Sequence, residues 1–173
     1  MITLTLRRDW AGAPLPPAQH VQLTIQPTQA ALLVHVDAPH YGDPLPGVPP
    51  GPCWKLWEHE VVELFILGAD ERYLEVELGP GNHHLVLQLH GTRNVIDRML
   101  PLTFSATVDG ARWTGDAAIP WAMLPKGPHR INAYAIHGQG RQRRYLAWQP
   151  VPGERPDFHR LAFFTPIQLL YAE

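Results

Sequence analysis

The chain has 173 residues, 45 % of them hydrophobic, with 14 basic and 16 acidic side chains and a formal charge of −2. That length allows one domain with a real core, and the near-neutral charge argues against a general attraction to polyanions, so no nucleic-acid partner is expected. No stretch approaches the ~20 apolar residues that a membrane-spanning helix needs, so no membrane partner is expected either.

The one cysteine, Cys53, excludes an internal disulfide framework and fits a reducing compartment. The first eight residues, Met1-Ile2-Thr3-Leu4-Thr5-Leu6-Arg7-Arg8, alternate like a strand and lack the basic start and long apolar run of a signal peptide. A cytoplasmic location is expected. Proline is abundant, at 19, which suits an all-β chain with long loops better than a helical bundle.

Strand candidates follow in quick succession at residues 2–7, 21–26 and 31–36. Prolines at 39, 44, 46, 49, 50 and 52 then interrupt. Such a segment cannot join a sheet ladder, and an ordered extended surface loop is expected there. Strands at 60–67 and 73–78 come next. A turn at Gly79-Pro80-Gly81-Asn82 leads to a strand at 84–90, with Leu85, Leu87 and Leu89 on one side. Strands at 104–109 and 112–118 flank Asp109-Gly110, a hairpin signal because these residues tolerate positive φ. Pro120-Trp121-Ala122-Met123-Leu124 suits one helical turn, and strands at 130–137, 144–148 and 161–170 complete the set. Ten or so short strands without helical periodicity predict an all-β, two-sheet antiparallel sandwich, jelly-roll-like, as one domain over 1–173.

The central stretch is Trp57-Glu58-His59-Glu60-Val61-Val62-Glu63-Leu64-Phe65-Ile66-Leu67, followed by Tyr73-Leu74-Glu75-Val76-Glu77-Leu78. Alternation puts Val61, Glu63, Phe65 and Leu67 on one side of the first strand. It puts Tyr73, Glu75 and Glu77 opposite Leu74, Val76 and Leu78 on the second. Glu63 stands between apolar neighbours. A carboxylate there must find partners or face a wet cavity, because an unpaired buried charge is costly.

Several enzyme chemistries lack their residues. His59-Glu60-Val61-Val62-Glu63 echoes the H-E-x-x-H zinc-protease pattern, but that chemistry needs a helix, and this stretch reads as a strand. The one serine, Ser105, has no G-x-S-x-G around it. Cys53, between Pro52 and Trp54, reads as a buried or loop thiol rather than a nucleophile. No Walker loop or G-x-G-x-x-G occurs. Arg141, Arg143 and Arg144 read as a solvated hairpin tip in preference to a phosphate site. His83 and His84 are adjacent, so on a strand they point to opposite faces. His137 and His159 each read as structural histidines unless they meet Glu63 in one polar pocket.

The aromatic and polar set is the stronger signal. Trp54, Trp57, Trp121, Trp148 and Phe158 lie in or beside loops and strand ends. Flat aromatic faces stack on the C–H faces of sugars. Glu63, Glu75, Arg93, Asn94, Asn132 and Arg144 offer groups for hydroxyls. The plainer reading is that the tryptophans are core or loop-clamping residues.

Trp57 with Glu60-Val61-Val62-Glu63-Leu64-Phe65-Ile66, then Tyr73-Leu74-Glu75-Val76-Glu77-Leu78-Gly79-Pro80, resembles the central motif of carbohydrate-binding module family 9 and the related DOMON-like sandwiches. The segment 113–119 with Pro120-Trp121, Arg130-Ile131-Asn132 and Arg144-Tyr145-Leu146-Ala147-Trp148 resemble their later strands. The resemblance covers about residues 1 to 170. It is nearest to an uncharacterised family of small stand-alone intracellular proteins, through Leu56-Trp57-Glu58, Arg93-Asn94-Val95, Ala135-Ile136-His137-Gly138 and Pro156-Asp157-Phe158-His159, among others. It implies that Trp57 and Glu63 contact a sugar, with Trp148 or Phe158 as a second stacking aromatic. Family 9 modules often carry structural calcium; here Asp70-Glu71 is the nearest acidic candidate and is short, so a structural divalent metal has no clear motif and the cofactor is left open.

The expected function is therefore non-catalytic binding of a small carbohydrate or polar metabolite, with no catalytic residue assigned. The expected ligand-binding residues are Trp57, Glu63, Glu75, Arg93, Asn132, His137, Arg144, Trp148, Phe158 and His159. One alternative is a hydrolase-type enzyme in which Glu63 works with His137 or His159, with or without a metal. Another is an interaction module whose aromatics meet a protein partner.

Overall fold

A computed structural model describes residues 1–170. In chain order the strands are β1 (Ile2–Leu6), β2 (Arg8–Asp9), β3 (Val21–Pro27), β4 (Ala31–Pro39), β5 (Gly51–Pro52), β6 (Val61–Leu67), β7 (Arg72–Leu78), β8 (His83–His90), β9 (Val95–Arg98), β10 (Thr103–Asp109), β11 (Arg112–Pro120), β12 (His129–His137), β13 (Arg144–Ala147) and β14 (Thr165–Ile167). Among the described residues, helix is confined to five 3-10 turns, one of them Trp121–Met123.

Two sheets face each other. The smaller has the order β1-β3-β4-β11-β10, and the larger β2-β13-β12-β6-β7-β8-β5, with β14 beside β12 and β9 beside β8. Apart from the short parallel pair of β5 with β8, the pairings are antiparallel. This is the all-β sandwich that the alternation predicts. The interior is filled from both sheets by residues such as Leu4, Leu23, Val34, Trp113, Val62, Leu64, Leu74, Val76 and Ile131.

The sheets differ in what covers their outer faces. In the smaller sheet, β3 alternates between buried and more exposed residues, so its outer face meets water. In the larger sheet every residue of β6, and all of β7 except Arg72, is buried. Loops lie over that outer face and close a second apolar cluster there, built from Val61, Phe65, Tyr73, Leu85, Tyr134, Phe158 and Phe164 among others. The side that carries Glu63 is thus interior as well.

Two expectations about the loops need correction. Gly51 and Pro52 do join the sheet, beside His83 and His84. Gly51 N–H donates to Asn82 O and Cys53 N–H to His84 O, so Pro52 falls at the one position that has no donor to supply. The segment 161–170 is not one long strand. Leu161–Phe163 turns, and only Thr165–Ile167 pairs, around Pro166, at the His129 end of β12. The Asp109-Gly110 hairpin forms as expected, with Gly110 at φ 57°.

Candidate functional site

The register of the larger sheet builds the site. Glu63 on β6 lies opposite Glu77 on β7, and Phe65 opposite Glu75. On the flanks, Tyr134 of β12 lies beside Glu63, while Leu85 and Leu87 of β8 lie beside Glu77 and Glu75. Period-two alternation sends all of these to the outer face. Three carboxyls are therefore neighbours on one face, inside an apolar surround. Like charges directly opposite one another destabilise a sheet, so the arrangement has a cost.

Glu63, Glu75 and Glu77 are 2 %, 4 % and 0 % exposed. Among the described residues, no donor reaches Glu63 Oε1, Glu75 Oε2 or either oxygen of Glu77. The neighbouring Glu75 and Glu77 carboxyls also act on each other, lowering the proton affinity of the first and raising that of the second. Burial pushes Glu63 well above the usual carboxylate range; the Glu75 charge adds to this and Arg143 opposes it. Burial also lifts Glu75 to about 7, and it raises Glu77 strongly with help from Glu63 and Glu75. Desolvation is the largest cause for all three, and the charges of Arg143 on Glu63 and of Arg93 on Glu75 offset it only in part, because each guanidinium makes its hydrogen bonds elsewhere.

Those commitments organise the loops. The Arg143 guanidinium donates to the carbonyls of Trp57, Glu58 and Gly138. It reaches back because the turn bends sharply at Gly138, whose φ is 78° and where a Cβ would strike the Gln142 carbonyl. Arg143 is thus a loop clamp, which corrects the solvated-tip reading for that residue, while Arg141 and Arg144 are exposed as expected. Arg93 donates to Asp157 at 2.6 Å and holds a left-handed φ of 61°. Its backbone N–H donates to Tyr73 Oη at 3.0 Å. Tyr134 donates to Phe158 O and stacks on the Phe158 ring at 3.9 Å.

The result is a cavity of about 390 Å³ over the carboxyls. Glu63 and Glu75 reach it, with Trp54, Trp57, Tyr145, Phe158, Arg93 and His159 among its walls. Trp54 and Trp57 meet edge to face at 5.2 Å. The size and the mixture of aromatic walls with a few polar groups are those of a small-molecule site. His159 Nε2 stands 3.9 Å from Glu75 Oε2. Burial and the Arg93 charge lower His159 to about 4, so the imidazole is neutral at pH 7 and the two do not form an ion pair.

Six of the ten expected residues share this cavity: Trp57, Glu63, Glu75, Arg93, Phe158 and His159. The other four lie elsewhere. Asn132 is fully buried with its amide saturated by Tyr134 Oη, Gln149 O, Ala133 N and Gln149 N. His137 stacks flat on Tyr41 at 3.5 Å and, with Arg144, lines a separate cavity of about 550 Å³. Trp148 packs against the sandwich interior. The expected binding set left out Tyr145, Asp157 and Glu77, and Trp54 stood only among the candidate stacking aromatics. Alternation already placed Glu77 beside Glu75. Tyr145 follows Arg144 directly, and that one-residue step is what changes the face. Asp70, the nearest acidic candidate for calcium, binds Arg72 instead. Among the described residues, no three His, Cys, Asp or Glu side chains converge to hold a metal ion, and no helix is long and apolar enough to cross a membrane.

No family model matches the chain. It is 41 % identical over 173 residues to the UPF0462 protein C4orf33 homolog of Danio rerio, covering 95 % of this chain and 87 % of that protein. It is 39 % identical over 168 residues to human UPF0462 protein C4orf33, covering 92 % and 84 %. Among solved structures, it superposes with a TM-score of 0.76 and 21 % identity on a candidate carbohydrate-binding protein from Bacteroides uniformis, over 95 % of this chain and 84 % of that one. A family 9 carbohydrate-binding module from Caldicellulosiruptor kristjanssonii, solved with glucose, gives a TM-score of 0.55 at 11 % identity, over 93 % and 78 %. At these identities the structural likenesses establish the fold.

Proposed function

This chain belongs to the UPF0462 family, and we propose that it is a non-catalytic binding protein for a small carbohydrate or carbohydrate-like polar metabolite. One observation carries the reading: a cavity walled by Trp54, Trp57, Tyr145 and Phe158 opens onto the buried carboxyls of Glu63 and Glu75, each with an oxygen that no donor among the described residues reaches. A pyranose offers both complements, C–H faces for the rings and hydroxyls for the carboxyls. The fold shared with modules solved with glucose and with cellotriose supports testing this ligand class first. A buried, unpaired Cys53 suits a reducing compartment, and we place the protein in the cytoplasm.

The test is a thermal-shift screen of mono- and oligosaccharides and divalent metals, since a ligand selective for the folded state raises its melting temperature. A saccharide hit is expected. A screen in which no saccharide shifts the transition sinks the reading.

A second reading, proton transfer to a substrate, is favoured by one observation. Glu75 at about 7 and the neutral His159 share the cavity with Glu63. With His137 in a different cavity, His159 is the partner left for Glu63. Glu63→Gln keeps the shape but cannot move a proton. For a binder, the variant weakens the hit by about 1–3 kcal/mol and no product forms with either protein. Conversion of the hit by the native chain, lost in Glu63→Gln while binding persists, favours the enzyme.

A further inference from the structure

We infer that the ligand of this cavity presents a protonated amino group to Glu63 and Glu75, with the aromatic walls around the same cation. The inference rests on the proposed binding function and names the chemical class of its ligand.

The argument is one of unmatched charge. A neutral sugar bound by carboxylates is best served when cations hold those carboxylates ionised. Here the two nearest guanidinium groups are occupied, Arg143 by three backbone carbonyls and Arg93 by Asp157. Among the described residues, Glu63 and Glu75 thus reach the cavity without a cation hydrogen-bonded to them, each at least nine-tenths buried and each with an oxygen that no donor meets. A third carboxyl, Glu77, lies behind them with both oxygens in the same condition. Buried carboxyls in this state are expensive, and an ammonium group supplies charge and three donors at once.

The walls point the same way. Trp57, Trp54, Tyr145 and Phe158 surround the space above the carboxyls, and aromatic faces attract a desolvated cation. An ammonium group on a sugar-like body uses all of these features. A bare divalent cation does not, because among the described residues no three carboxylate, imidazole or thiol groups converge on one point.

Binding such a cation would also draw protons from the carboxyls, whose high affinity for protons follows from burial and mutual repulsion. The groups around them are Cys53, Tyr73, Tyr134, Arg93, Arg143, Asp157 and His159. His159 is already neutral at pH 7, so the released protons come from the glutamates.

The experiment titrates the whole chain by calorimetry with glucose, galactose and mannose, with their 2-amino and N-acetylated 2-amino counterparts, and with cyclohexylamine. The amino form of whichever hexose binds is expected to bind about tenfold or more tighter than its neutral and N-acetylated forms. Repeating the titration in buffers of different ionisation enthalpy should show proton release for the amine and none for the neutral hexose. In Glu63→Gln and Glu75→Gln the preference should fall to about threefold or less. Equal affinity for neutral and amino hexoses overturns the inference and leaves the carbohydrate reading standing. Binding of cyclohexylamine without any hexose keeps the amine and removes the sugar. Silence across the whole panel overturns both. The proton count uses the native chain, so it decides the matter even where a variant fails to fold.

Discussion

The hydroxyl of Tyr73 lies 2.7 Å from Nδ1 of His159, and the direction of that hydrogen bond is determined by its surroundings. The same hydroxyl accepts the Arg93 N–H, and burial raises the phenol to about 12, so Tyr73 keeps its proton. It therefore donates to Nδ1. A neutral His159 then carries its own proton on Nε2, the nitrogen nearer Glu75. A strand residue, a turn residue and a late-loop residue are tied at one point on the cavity wall.

Tyr73→Phe should lose about 1–2 kcal/mol of stability by removing both hydrogen bonds. Nitrogen-15 NMR should find the Nε2–H tautomer of His159 in the native chain and a mixture in the variant. An Nδ1–H tautomer in the native chain would show that the relay runs the other way.

Trp57→Ala should weaken a saccharide hit by about tenfold or more while the melting temperature stays within a few degrees. The indole is only partly buried, and its loop is still held by the Arg143 bonds to main-chain carbonyls. A loss of about 3–5 kcal/mol without a specific binding defect would make Trp57 a core residue instead.

Asn132→Ala should behave in the opposite way. Its amide is saturated within the protein and does not line the cavity. About 2–4 kcal/mol should be lost in denaturant unfolding, with affinity at low temperature changed by no more than about threefold. A large affinity loss in a fully folded variant would return Asn132 to the binding set.

The carboxyl cluster should give stability a distinctive pH dependence. Folded Glu75 titrates at about 7 against an ordinary 4.5, so the folded state holds its proton more tightly. Its contribution is fully present below about 4.5 and is lost as pH rises through about 7. His159 acts in the opposite sense: with a folded value of about 4 against 6.5, its contribution is present above about 6.5 and lost as pH falls toward 4. Glu75→Gln removes the first effect and keeps the second. Relative to the native chain, the variant should gain on the order of 3 kcal/mol between pH 4.5 and pH 8. Urea unfolding at the two pH values measures it, and an unchanged difference would mean that the Glu75 carboxyl is not held protonated.

The alternation along β6 and β7 was enough to assign their faces. Val61, Glu63, Phe65 and Leu67 had to share one side, and Tyr73, Glu75 and Glu77 one side of the neighbour, because successive side chains of any strand point in opposite directions. The anomaly of Glu63 between apolar residues was legible for the same reason. Local pattern could not say what lies above that face. The cavity is closed by residues 54–57, 93–95 and 156–159, segments far apart in sequence that meet only through the strand order of the larger sheet. Pairing of β12 with β13 turned Tyr145 toward the cavity and left Arg144 beside His137, a choice that one residue of register would reverse. The state of the carboxyls was decided at the same level. A glutamate's proton affinity depends on burial and on where the arginines go, and Arg143 and Arg93 went to main-chain carbonyls and to Asp157.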